Sequence, residues 1–165
     1  MTSAQHPPYP TDERTSLLAS LELMRAVIRW KVEGIDVAAQ RDVATPSGLT
    51  LLGIVRHLTD VERWWFRDRW AGEDVANYYD PAADGADFRV PTDATVDATL
   101  REYQAACAEA NAVITSAESL DVPGKRHDGP LRWVLTHMIE ETARHAGHAD
   151  LLRERLDGAT GYLPD

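Results

Sequence analysis

Two side chains that could share one metal ion stand four residues apart in the last third of the chain, Glu141 and His145. On a helix that spacing makes them neighbours on one face. The run around them, from Leu131 to Leu156, has the apolar period of an amphipathic helix. At about 100° per residue, Val134, Met138, Glu141, His145, His148 and Leu152 fall on one stripe. That stripe should face the core, where a carboxylate is costly unless something answers its charge. A bound divalent cation is the leading candidate. Catalytic metal sites usually take three protein ligands and keep one position open, so the third ligand must come from another helix. His57 is the best candidate: it is the only histidine of the second helix and lies on or beside the stripe of Ile54, Val61 and Trp64. Two histidines and a carboxylate suit zinc, nickel, manganese or ferrous iron, so ligand type does not name the metal.

Other residues compete for these roles. His137 lies two turns before His145, a rise of about 12 Å, too far for both to reach one ion easily. His148 shares the face of His145 and could be a ligand, a partner of a ligand, or a group at the mouth of the site. Asp60 and Asp68 could orient a histidine, though solvation or a salt bridge is the plainer expectation for both. A lone histidine on an apolar face is more often a hydrogen-bonded core residue than a ligand. Glu-x-x-x-His pairs also arise by chance on solvent faces; this one gains weight from its core stripe and from the third donor elsewhere. Trp64, Trp65, Trp70 and Trp133 read as core or interface packing, and Cys107 as an inert core residue.

Four amphipathic helices must position these groups. The first starts at a Thr11 or Asp12 cap, carries Leu17, Leu21, Met24 and Ile28, and ends near Gly34. The second follows a Thr50 cap and runs to Gly72. Residues 73–91 form a long connection, read equally as one wall of a site or as a plain crossover between distant helix ends. The third helix starts at Thr92 or Thr95 and carries Val96, Leu100, Tyr103, Cys107, Ala110 and Ile114. The fourth begins near Pro130 and ends at Gly158. No strand-like alternation, internal repeat or low-complexity stretch interrupts the pattern. The expected fold is all-α, a four-helix bundle with a long crossover connection. Residues 1–10 read as an N-terminal arm, 11–158 as the bundle, and 159–165 as a short C-terminal tail.

The totals narrow the partners. The 165 residues are 44% apolar, enough for a good core, and carry a net charge of −10. There is no basic tract, so neither nucleic acid nor an anionic membrane is an expected partner. One cysteine excludes an internal disulfide. No signal-like segment or membrane-length apolar run is present. A soluble cytoplasmic protein is expected.

Two stretches carry a resemblance. Leu52-Gly53-Ile54-Val55-Arg56-His57-Leu58, with Glu62-Arg63-Trp64-Trp65-Phe66 after it, resembles the second-helix motif of the DinB-like metal-binding four-helix bundles. Leu131-Arg132-Trp133 and then His137 to Asp150 resemble their fourth-helix motif, in the actinobacterial variant. The resemblance implies a three-ligand metal centre, often zinc or nickel. Many members use three histidines. Glu141 stands here as in the mycothiol-dependent maleylpyruvate isomerase branch, so the implied ligands are His57, Glu141 and His145, with zinc the first choice. It further implies a thiol-dependent enzyme in which a metal-bound low-molecular-weight thiol, mycothiol first, attacks an electrophile in detoxification, with no protein nucleophile. His148 and Trp64 could line the cavity. Those isomerases carry a further C-terminal domain, whereas this chain stops soon after the fourth helix, so the single-domain S-transferase is favoured. The competing reading is a non-enzymatic, stress-related metal-binding protein. Relatives often dimerise, which leaves a homodimer open.

Overall fold

The computed structural model describes residues 10–42, 44–80, 82–83 and 85–163, without the side chains of residues 41 and 42. The arm expected over residues 1–10 therefore lies outside the described residues except for Pro10. The last two residues of the expected tail lie outside them too.

The chain is an all-α bundle of four long helices with long connections. Helix α1 spans Glu13–Val32, and a short helix α2 spans Val37–Asp42. Helix α3, Leu51–Glu62, continues without a break as a π-helix over Arg63–Trp70. Helix α4 is Val96–Ser116 and α5 is Leu131–Asp157. Helix α1 packs chiefly on α5, and α3 on α4 and α5. Among the described residues there is no sheet, only the isolated bridges Asp80–Ala83 and Pro123–Pro130.

The ends obey local chemistry. Asp12, Thr50 and Thr95 each accept a hydrogen bond from the backbone N–H three residues on, satisfying a donor that the first turn leaves free. Pro130 is the N-cap of α5, one position before the helix proper. Gly158 closes that helix at φ 78°, a conformation open to glycine at little cost. No helix of the described residues is long and apolar enough to cross a membrane.

The core has two parts. One gathers Val27, Ile28, Leu52, Ile54, Val55, Leu58, Leu100, Tyr103, Ala149 and Leu152. The other gathers Leu21, Phe66, Ala110, Ile114, Leu131, Val134, Leu135 and Met138. The stripe expected on the second helix, ending on Trp64, is not the buried one, and the helix finishes in π turns. A π turn closes its hydrogen bonds at i→i+5, as Ala71 N–H to the Phe66 carbonyl does. The buried face runs through Val55, Leu58, Glu62 and Phe66, at spacings of three and four, so Phe66 is buried while Trp64 is 40% exposed. Trp133, expected in packing, is 46% exposed and packs its ring against Trp65, His127 and His137.

Charge sits in the core where an apolar stripe was expected on α1. Arg25 and Glu62 are both buried. Arg25 Nε donates to Glu62 Oε1 at 2.7 Å and Nη2 donates to Oε2, a bidentate pair. Its Nη1 donates to Glu22 and to Asn111 Oδ1, both at 2.7 Å. Burial pushes the Glu62 carboxyl up, and the Arg25 guanidinium opposes that shift.

Candidate metal centre

Helices α3 and α5 bring together the three residues singled out from spacing. His57 sits in the second turn of α3; Glu141 and His145 are one turn apart on α5. His57 Nε2 and His145 Nε2 each lie 3.1 Å from the same atom, Glu141 Oε1. One donor atom from each of the three falls within 4.8 Å of the others. Among the described residues this is the cluster of three histidine, cysteine or carboxylate groups that could hold a metal ion.

The donor set fits a cation. Asp87 Oδ2 lies 2.6 Å from His57 Nδ1, which places the imidazole proton on Nδ1 and leaves the Nε2 lone pair facing the Glu141 carboxylate. His145 is held toward its neutral form, first by burial. Two imidazoles and a carboxylate converging on one point are mostly lone pairs facing one another, an arrangement that a positive charge resolves. The Glu141 carboxyl is held far below the usual range by the imidazoles of His145 and His57 and by the Arg144 guanidinium. Arg144 Nη2 lies 2.8 and 2.7 Å from the two Glu141 oxygens and 3.3 Å from His145 Nε2. A guanidinium thus reaches the donor set from its solvent edge. Ligands at about 2.0–2.2 Å from a tetrahedral ion stand roughly 3.3–3.6 Å apart, close to the 3.1 Å spacings found.

Asp87 was not anticipated. It stands in a 3₁₀ turn, Ala86–Phe88, within the long connection, and its neighbour Phe88 stacks on the His57 ring at 4.2 Å and 13°. The connection is therefore a wall of the site as well as a crossover. Gly53 lets it lie against α3, because a Cβ there would stand 2.7 Å from the Phe88 carbonyl oxygen. The signal in the sequence was the length of the connection; nothing in it singled out Asp87.

The remaining candidates separate. His148 packs edge-on against His145 at 5.4 Å and has a buried Nδ1 without a hydrogen-bond partner among the described residues. Asp60, expected to be solvated or ion-paired, is instead buried and accepts from the backbone N–H groups of Tyr78 and Tyr79. Burial pushes its carboxyl up to about 6, and it anchors the start of the connection rather than a histidine. Asp68 pairs with Arg126, the ion pair expected of it. His137 stacks on Trp133 at 5.2 Å, away from the donor set. Cys107 is buried and its thiol is pushed far up by burial, so it is no nucleophile.

Two cavities meet the cluster from different sides. One, of about 810 Å³, is lined by His145, His148, Arg144, Phe88 and Arg89, and by the turn at Ser47 to Thr50. The other, of about 390 Å³, is lined by His57, Asp60, Val61, Trp64, Tyr79 and Asp87 among others. His148 and Trp64, the two residues suggested for a cavity, each line one of them.

Comparison with known proteins adds one finding. The model of the mycothiol-S-transferase family matches residues 16–158. No curated protein and no solved structure matches the chain.

Proposed function

The chain belongs to the mycothiol-S-transferase family, and on that premise we propose that it is a divalent-metal-dependent thiol S-transferase acting in detoxification. The observation that carries this reading is the convergence of His57, Glu141 and His145 on one point between two cavities. These three residues would hold the ion, zinc before nickel, manganese or iron. When bound, such an ion supplies a Lewis acid that lowers the pKa of a thiol sulfur, and the thiolate is the nucleophile.

The chain's own residues do the rest. Asp87 fixes the tautomer of His57 and Phe88 fixes its ring plane. His145 is buried, with its ring against those of His57, Phe88 and His148. The cosubstrate is a low-molecular-weight thiol, mycothiol in this reading. With a chlorinated aromatic or a halobimane as the second substrate, the sulfur forms a C–S bond. The carbon–halogen bond breaks, halide leaves with its electron pair, and the thiol proton passes to solvent. No protein side chain forms a covalent bond. The protein works in the cytoplasm.

The test is thiol consumption with monochlorobimane, comparing metal-loaded protein, chelated protein and His57→Ala. Turnover that follows metal content is expected. Metal-loaded protein inert toward a panel of thiols and electrophiles would overturn the transferase and leave a non-enzymatic metal-binding protein.

A further inference from the structure

Two rings of one donor set open onto two cavities that differ in size and in polarity. The larger, ending on His145, carries Arg89 and Arg144 and the hydroxyls of Ser47 and Thr50. The smaller, ending on His57, is walled by Val61, Trp64 and Tyr79 and carries Asp60 and Asp87 at its polar end. The connection divides them: Phe88 and Arg89 face the larger, Asn77, Tyr79 and Asp87 the smaller.

We propose that the two cosubstrates are sorted between these cavities. The hydroxyl-rich thiol enters the larger, and an apolar electrophile without negative charge enters the smaller. This rests on the transferase reading and gives it a substrate class. A polyhydroxylated thiol needs volume and polar groups around it, and the 810 Å³ cavity is both the larger and the more polar of the two. The 390 Å³ cavity suits a flat apolar molecule against the indole of Trp64. Its two carboxylates disfavour an anion by like-charge repulsion. Asn77 Oδ1 lies buried there with no hydrogen-bond partner among the described residues. It is placed to accept a bond from a donor on the electrophile.

Binding separates this from the transferase reading. The probes are a halogen-free neutral bimane and a carboxylated analogue, neither of which reacts with thiol. Their affinities are read by equilibrium dialysis on the metal-loaded protein. The neutral probe should bind at least roughly tenfold more tightly than the anionic one, and Trp64→Ala should weaken it about tenfold, the equivalent of about 1.4 kcal/mol. Ser47→Trp, at an exposed position on the rim of the larger cavity, should leave the probe's affinity unchanged and weaken mycothiol about tenfold. Equal affinity for both probes would overturn the sorting. So would loss of bimane binding in Ser47→Trp with none in Trp64→Ala. The expected binding pattern without any turnover would support the cavity preference while removing the transferase.

Discussion

Glu62 and Glu141 are both carboxylates turned into the same bundle, and their partners divide them. Glu62 is answered from within: Arg25 meets both its oxygens, and Glu22 and Asn111 hold the far side of the guanidinium. Glu141 meets two imidazole nitrogens, and the one cation near it, Arg144, comes from a side chain that is 59% exposed. The first arrangement is complete and closed. The second holds converging donors at the edge of a cavity. A buried charge answered by its own counter-charge is architecture; a charge met by two imidazoles and one exposed guanidinium keeps a place for a cation.

The largest effect should come from opening the closed pair. Arg25→Met leaves Glu62 buried and alone, and should cost about 3–5 kcal/mol in denaturant unfolding with metal content per folded chain unchanged. The double variant Arg25→Met with Glu62→Leu should recover most of that loss, since apolar replacement of a whole buried pair is often neutral. If the double variant is no more stable than the single one, the pair is more than a balanced charge.

On the open side, effects should move to metal affinity. Asp87→Ala removes the acceptor that holds His57 and should weaken metal binding roughly 10–100-fold, with little change in melting temperature. Gly53→Ala pushes the Phe88 carbonyl off α3 and should weaken metal binding in the same direction. An unchanged metal Kd in both variants would mean that the connection does not position His57. Smaller again is the cap: Thr50→Ala should cost about 1 kcal/mol. Last, Cys107 should resist a thiol reagent in the native protein and react once per chain on unfolding.

Much of this contrast was legible in the sequence, and unevenly so. The four helices followed from apolar period and punctuation, because Gly34, Gly72 and Gly158, all at positive φ, stand where the helices stop. Glu141 and His145 were readable because both lie on one helix, where spacing fixes geometry. His57 was reachable as the only histidine of its helix. Asp87 was not, because a residue in a long irregular connection has no period to place it. The stripe of the second helix was misplaced for a different reason: Val55, Leu58, Glu62 and Phe66 also recur at spacings of three and four, and that face, not the one ending on Trp64, is buried. Arg25 and Glu62 were hidden because each looks like an ordinary surface charge until the other is found 37 positions away.

The most direct test of the contrast is metal content by elemental mass spectrometry on protein purified without an affinity tag, for wild type, Glu141→Gln and the Arg25→Met, Glu62→Leu double variant. Near one divalent ion per chain is expected in the wild type and in the double variant, and none in Glu141→Gln while its helical content persists. A metal-free wild type after incubation with zinc or nickel would contradict the account, as would a Glu141→Gln protein that keeps its ion.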